Sequence, residues 1–569
     1  MSERNCPWEK YYGSVPATLT YPDKTMYEAV EETANRYPTY TAMDFMGKPT
    51  DYKTMLEGIH YVAKAFRALG IGPGDKVTLC MPNVPQTVVC FYALNLIGAI
   101  SNMIHPLSSE GEIAFYLRDS ESVAAVTLDQ FYGKFEAVRK EVPLRHLIIT
   151  SVADALGPVM KIGFALTKGR KIPPIPPEAD VVRWKSFLEL GLGYEGEYIC
   201  RKKAEDGAAV LYSGGTTGTT KGILLSNLNF NALALQTAAM SVTCKPGQSM
   251  LAVMPMFHGF GLGVCIHTML VAGCRCILVP QFNAQSYAQL LKKKRPNYIA
   301  GVPTLYEAIL RNPDMEGVDL SCLMGVFSGG DSLSIELKKK FDTFLREHGA
   351  KVQIREGYGT TECVTASCLT PYDTYREGSI GIPFPDTYYK IVKPGTCEEV
   401  PYGTEGEIVL SGPTLMMEYV NQPEETAETL RTHEDGYVWL HTGDLGLMDP
   451  DGFVYYKQRI KRMIITSGYN VYPSQMENII DAHPLVHMSC VIGVPDPYKM
   501  QKIKAFVVLK PGTKATEEIK EELMGHCRKN VAKYAMPYDI EIREDLPKTL
   551  VGKVAYRKLE EEQAAAMEK

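Results

Sequence analysis

The chain has 569 residues, 45% of them hydrophobic and 22% charged, with a formal net charge of −6. That length exceeds what one hydrophobic core serves, so two or more domains are expected. The composition is that of a soluble globular protein, and the acidic balance argues against a general nucleic-acid binder.

Fourteen cysteines are scattered without CxxC pairs or regular spacing. With no signal peptide at the N-terminus, they read as reduced thiols in a cytoplasmic protein and argue against a structural zinc site. No stretch reads as a membrane span. The most apolar region, Met250 to Val279, is interrupted by Pro255, His258, Arg275 and several glycines. It reads as strand, turn, buried helix and strand.

In chain order, Tyr27 to Ala34 and Tyr61 to Leu69 have helical period. A turn at Gly72-Pro73-Gly74 leads into a buried strand, and Gln86 to Ile100 is an apolar helix closed by Gly98. A helix from Glu110 to Arg118, the strand VAAVTL and another helix continue a βαβα rhythm. That rhythm predicts a parallel sheet covered by helices. Between the strand Leu147 to Thr150 and Arg183 lies a less regular insert, PVMKIGFALTKGRKIPPIPPEAD. It has two readings: a proline-rich solvated loop, which the short length favours, or an amphipathic element (159–177) touching the inner face of a membrane where a lipid substrate resides.

Tyr212 to Gly222, YSGGTTGTTKG, sets four glycines, four threonines, a serine and a lysine between apolar runs that read as strands. Glycines let backbone N–H groups crowd an anion, hydroxyls add donors, and Lys221 adds charge. A flexible linker would not hold a lone lysine between two strands. A Walker A loop has Ser or Thr after its lysine and then a helix; here Gly222 and a strand follow. A dinucleotide fingerprint is also absent. The stretch reads as a nucleotide-phosphate cradle.

After it come a helix over Asn227 to Met240 and two more βα units, the second helix ending in the cations Lys292 to Arg295 before Pro296. From Gly378 the texture changes to short alternating segments, which predict a small antiparallel sheet or barrel over about 378–458. βαβ-like units resume after Gln458. The expected division is therefore 1–458 and 459–569.

The cradle, with partners in order along nearly the whole chain, resembles the adenylate-forming superfamily of acyl-CoA synthetases, luciferases and adenylation domains. Within it, YSGGTTG and EGYGTTEC look most like bacterial long-chain fatty acid CoA ligases. The resemblance implies an α/β fold: a large domain of two helix-covered, parallel-type sheets plus a small β-barrel, then a small mobile α+β domain. It implies that Ser213, Gly214, Gly215, Thr216, Thr217, Gly218 and Lys221 grip ATP phosphates, with Thr217 among the catalytic residues. Gly329, Gly330 and Asp331 border adenine, although the family often has Ala where this chain has Asp331.

In EGYGTTE, Glu356, Gly357, Tyr358, Gly359, Thr360 and Thr361 surround the nucleotide, and Glu362 holds Mg²⁺. Asp444 and Arg459 contact ribose, and Lys461 is the hinge position. Gln458 and Arg462 depart from the family's usual glycine and acid. MPMFHGFGLG places His258 beside the acyl group and departs from the usual long-chain form. Lys553, in LPKTLVGKVAYRKL, contacts the carboxylate and phosphate oxygens. Ser467, Gly468 and Tyr469 serve the thioester step. The implied reaction consumes a carboxylic acid, a medium- or long-chain fatty acid, with ATP and CoA. The alternatives are an aryl-CoA ligase, an acyl-AMP ligase loading a carrier protein, or a binding protein that kept the fold. The acid pocket is expected from Tyr298 to Tyr306, the His258 segment and the surroundings of Gly329.

Overall fold

The computed structural model describes residues 6–214, 220–466, 469–496, 498–549 and 554–567. Two large sheets organise the first three quarters of the chain. One has eight strands in the order Glu418–Tyr419, Thr220–Ser226, Gly207–Gly214, Ile100–Met103, Lys76–Cys80, Ala124–Leu128, His146–Thr150 and Val182–Arg183. Its strands run parallel except at the end formed by Gly207–Gly214, Thr220–Ser226 and Glu418–Tyr419, which pair antiparallel. The other sheet has nine strands, and its central run is the parallel set Arg275–Leu278, Ser249–Ala252, Tyr298–Gly301, Gly325–Ser328 and Ile354–Tyr358.

Helices buried on most of their surface connect these sheets. Pro85–Leu96 packs on the eight-stranded sheet, and ten of its twelve residues are buried. A helix so uniformly apolar is stable only when covered all round. Asn227–Ser241 is capped by Ser226, whose hydroxyl accepts from Asn229 N while the Asn229 side chain accepts from Ser226 N. It contacts a π-helical stretch, Phe260–His267, which packs in turn on Ser249–Ala252. Gly261 opens that wide turn: a Cβ there would lie 2.1 Å from the Pro255 carbonyl oxygen. His267, wholly buried between Tyr92 and Asn231, is pushed down to about 3 by burial and is a neutral core residue.

Beyond Gly378 a five-stranded antiparallel sheet forms from Tyr388–Val392, Gly406–Ser411, Val438–Met448, Leu430–Thr432 and Val454–Arg459. Its hydrogen-bonded order does not return to its first strand, so the expected barrel is an open sheet among the described residues. A fourth, five-stranded sheet holds Ile464–Thr466, Tyr469–Val471, Val486–Asp496, Met500–Leu509 and Asp539–Arg543. The largest hydrophobic cluster runs from Trp8 to Val454, whereas two separate clusters hold residues from Ile464 to Leu559.

Two further expectations change. The residues before EGYGTTE read as a strand, VQI, but the strand is Ile354–Tyr358 and takes in EGY, which pairs with Ser328 on one side and with Cys368 and Leu369 on the other. The insert is not only loop: Pro158–Leu166 is helical, started by a proline at its first position, where no backbone donor is needed. No helix among the described residues is long and apolar enough to cross a membrane.

Candidate active site

The strands Gly207–Gly214 and Thr220–Ser226 form a hairpin whose register brings Ser213 opposite Lys221. Gly215, Thr216, Thr217 and Gly218 lie outside the described residues. The hairpin ends in a cavity of about 860 Å³ that Ser213, Thr220 and Lys221 line. That volume suits a drug- or nucleotide-sized ligand. The lack of Ser or Thr after the lysine has a packing cause: a Cβ at Gly222 would sit 2.6 Å from Asp119 Oδ2 and 3.2 Å from the Tyr212 ring.

Across the cavity lie Gly359, Thr360, Thr361 and Glu362. A Cβ at Gly359 would meet the Thr365 carbonyl at 2.1 Å, so the loop folds back on itself only with glycine there. Tyr419 joins the two sides. Its hydroxyl donates to Glu362 Oε1 at 2.8 Å, and Lys221 Nζ stands over its ring at 4.7 Å from the centroid. Lys221 is also paired with Glu425. Glu362, the hydroxyls of Ser213 and Thr361 and incoming phosphate oxygens form an all-oxygen donor set, which suits Mg²⁺ held by one carboxylate and substrate phosphates.

His441-Thr442-Gly443-Asp444 lies inside a long strand rather than at a turn, with Gly443 at φ 69° where the strand bulges. Asp444 is almost wholly buried. Arg459 Nε forms an ion pair with its Oδ1 at 2.9 Å, and the Tyr358 hydroxyl donates to its Oδ2 at 2.6 Å. The Asp444 carboxylate raises the Arg459 guanidinium still further above its ordinary value. Arg459 lines the cavity, as do Gly443 and Lys461.

Glu356 turns away from the large cavity. Its Oε1 accepts from Leu333 N at 3.0 Å, and burial pushes its carboxyl up to about 8, so it pins the loop after Gly330. Asp331 is exposed, accepts from Ser332 N and does not line the cavity.

His258 and Phe257 line the cavity wall next to the π-helix. Beyond them a small, mostly apolar cavity of about 40 Å³ is bounded by Phe260, Val264, Phe327, Gly329, Leu369 and Phe384. Gly330 and Thr365 border both spaces. None of Tyr298 to Tyr306 lines either. Tyr298–Gly301 is interior to its sheet, and the Tyr298 and Tyr306 hydroxyls are spent on Gln248 and on the Phe327 carbonyl.

From the C-terminal part, Lys548, Thr549 and Ala555 reach the cavity. Lys553, between them in sequence, lies outside the described residues, as do Ser467 and Gly468. Tyr469 is 55% exposed, stacks on Tyr534 at 4.4 Å and does not line the cavity.

The family profile described as AMP-binding enzyme matches residues 30–420, and its C-terminal-domain companion matches 475–553. The chain belongs to the AMP-binding enzyme family. A long-chain-fatty-acid–CoA ligase of Bacillus subtilis (strain 168) is 35% identical over 567 residues, covering 98% of each chain. One of Salmonella typhimurium is 31% identical, covering 97% of each. In structure, the chain is similar to an ATP-bound RpMatB-BxBclM chimera, with TM-score 0.83 and 26% identity, covering 95% of this chain and 99% of that one. In this AMP-binding enzyme, Tyr419, Glu425 and His105 escaped the sequence reading although each lines the cavity. They sit in segments without the glycine-rich pattern of the site's loops, and the pairing of Glu418–Tyr419 with Thr220–Ser226 brings Tyr419 beside the hairpin.

Proposed function

We propose that the chain is an AMP-forming acyl-CoA synthetase acting on a medium- or long-chain fatty acid. The observation that carries this is one cavity lined by the phosphate hairpin, Glu362, Arg459 and both flanks of Lys553. The names of the relatives at 31–35% identity favour an aliphatic substrate over the aryl alternative. A carboxylate is a poor electrophile because its carbonyl carries negative charge. One of its oxygens attacks the α-phosphorus of ATP, the α–β phosphate bond breaks, and pyrophosphate leaves. The CoA sulfur then attacks the acyl-AMP carbonyl, its proton is lost, and AMP departs.

The chain's task in the first step is to assemble anions and stabilise developing charge with fixed donors. Ser213, Lys221 and the glycines between them hold the β- and γ-phosphates, with Lys221 exchanging Glu425 for phosphate. Asp444, held by Arg459 and Tyr358, takes the ribose hydroxyls, while Gly329, Gly330 and the backbone around Gly357 and Thr360 border adenine. Bound at Glu362, Mg²⁺ would neutralise phosphate charge. His258 stands at the mouth of the apolar cavity, where the acid's carboxylate meets the nucleotide. Residues 459–569 act as the mobile unit, presenting Lys553 first and Ser467-Gly468-Tyr469 afterwards.

A pyrophosphate-release panel over acetate, medium and long fatty acids, benzoates and cinnamates tests the reading. Release with C8-or-longer acids and CoA-dependent thioester formation are expected. Turnover confined to aromatic acids, or product appearing only on a phosphopantetheinyl carrier, would select the alternatives.

Peripheral membrane contact is a second element of the proposal. In the helix Pro158–Leu166 no residue is buried, and Val159, Ile162 and Leu166 are 81%, 64% and 65% exposed on one side. Phe164 packs against the core from the other. Four cations and no acid fall between 158 and 172. An apolar stripe beside cations suits an anionic bilayer, to which each Lys or Arg near the surface adds about 1 kcal/mol. Co-sedimentation with phosphatidylglycerol vesicles is expected for the wild type and lost in the Val159→Asp/Ile162→Asp/Leu166→Asp variant. Equal sedimentation of both would remove the element.

A further inference from the structure

We propose that Cys397, His433 and His441 form a site for a borderline divalent transition metal of the zinc class, with His441 and its neighbour Glu407 on the wall of the large cavity. The three residues come from different parts of the antiparallel sheet. Cys397 is in the loop between Tyr388–Val392 and Gly406–Ser411, His433 follows Leu430–Thr432, and His441 is in Val438–Met448. Folding brings their ligand atoms within 4.8 Å of one another. Spacings of 36 and 8 residues match no metal-binding sequence pattern, so the sheet alone reveals the group.

The histidine Nε2 atoms are 2.9 Å apart. Two ligands on a tetrahedral zinc stand roughly 3.3 Å apart when each bond is about 2.0–2.1 Å. A shift of a few tenths of an ångström therefore admits the ion between them.

The protonation pattern fits. Glu407 Oε2 accepts from His441 Nδ1 at 3.1 Å, while Glu407 Oε1 is held by Gly443 N at 3.0 Å. That fixes the His441 proton on Nδ1 and leaves Nε2 with a lone pair facing the site. A carboxylate behind a ligating imidazole is the usual support for a metal-bound histidine. The His433 ring packs on Trp439 with Nε2 turned to His441, while its Nδ1 is buried and makes no hydrogen bond. Both rings are more than nine-tenths buried, whereas Cys397 is exposed. The site thus has a rigid inner pair and a thiol at its entrance.

Two imidazoles and a thiolate select zinc, cobalt, nickel or copper over Mg²⁺ or Ca²⁺, which take oxygen donors. Binding releases the Cys397 thiol proton, and three protein ligands leave a fourth position for water. One ion would tie the Cys397 loop to the strand that carries Asp444.

The untagged full chain, stripped with chelator and titrated with Co²⁺ in excess Mg²⁺, tests this. One Co²⁺ per chain is expected, with a thiolate-to-cobalt charge-transfer band. Cys397→Ser, a change on an exposed loop, should abolish the band and keep the circular dichroism and chelator-treated activity of the wild type. Glu407→Gln should weaken binding by about 10–100-fold. The proposal is overturned by the absence of stoichiometric uptake, or by a band that survives in Cys397→Ser and so belongs to another cysteine.

Discussion

Lys553→Ala is expected to lose acyl-AMP formation by a factor on the order of 10²–10³, the usual effect of removing one preorganised charge donor. It is also expected to make thioester from supplied acyl-AMP at nearly the wild-type rate. The reasoning is electrostatic. In the first half-reaction a carboxylate approaches a triphosphate, and charge builds on the α-phosphoryl oxygens as the bond forms. In the proposed reading Lys221 serves the far end of the triphosphate, and Arg459 is committed to Asp444. A cation is still needed at the point of attack. Thr549 and Ala555, which flank Lys553 in sequence, line the cavity. In the second half-reaction no carboxylate has to be held against a phosphate, and the same charge has little left to do. Pyrophosphate exchange and thioester formation measured separately on the same variant check the division. Equal loss in both would assign Lys553 a structural or general binding role.

Much of the site could be read from the chain because its parts are short and dense in glycine, threonine and charge. The hairpin around Lys221, the loop ending at Glu362 and the Asp444–Arg459 pair are such parts. Their chemistry needs close backbone approach, and only a few residue types allow it; Gly359, with no room for a Cβ, is an instance. Tyr419 and Glu425 sit where no glycine marks a close backbone approach. Tyr419 reaches the site because a two-residue strand adds to the edge of the phosphate hairpin, a pairing without local sequence cause. The acid pocket was only half legible for a related reason. Phe260 lies on the segment singled out for His258 and Phe327 stands two residues before Gly329, but Val264, Leu369 and Phe384 come from positions that reading did not name.

The fold was legible wherever a helix or strand period ran unbroken, as in the βα units from Tyr27 to Thr150. It was less so where tertiary pairing decides. EGY was extended into a strand by neighbours on both sides, and HTGD was absorbed into an eleven-residue strand instead of a turn. The helix Pro158–Leu166 was obscured by the prolines and glycines around it, although its own first proline suits a helix start.

Lys461→Pro is expected to spare acyl-AMP formation and to slow thioester formation by on the order of tenfold or more, since the observed rate scales with the fraction of chains in the competent arrangement. Lys461 stands between two committed arginines. Arg459 is paired with Asp444 in the large antiparallel sheet, and Arg462 is paired with Glu477 in the helix Pro473–Asp481 and lies over the Tyr556 ring. This accounts for the departure at Arg462: with a partly buried glutamate opposite, the position takes a cation. One arginine holds each side, so a rotation has only the short 3₁₀ turn Ile460–Arg462 in which to change its dihedrals.

Proline fixes φ near the value such a turn already has, so the present arrangement, with Lys548, Thr549 and Ala555 at the cavity, is expected to be kept. The other arrangement needs different angles at the same place. The contacts to be broken elsewhere are few and polar, such as those of His487 with Glu307 and Arg311, so no large apolar surface opposes the motion. Parallel assays of pyrophosphate release without CoA and thioester formation from acyl-AMP check this. A variant with unchanged overall turnover would show that the domains exchange about some other point than Lys461.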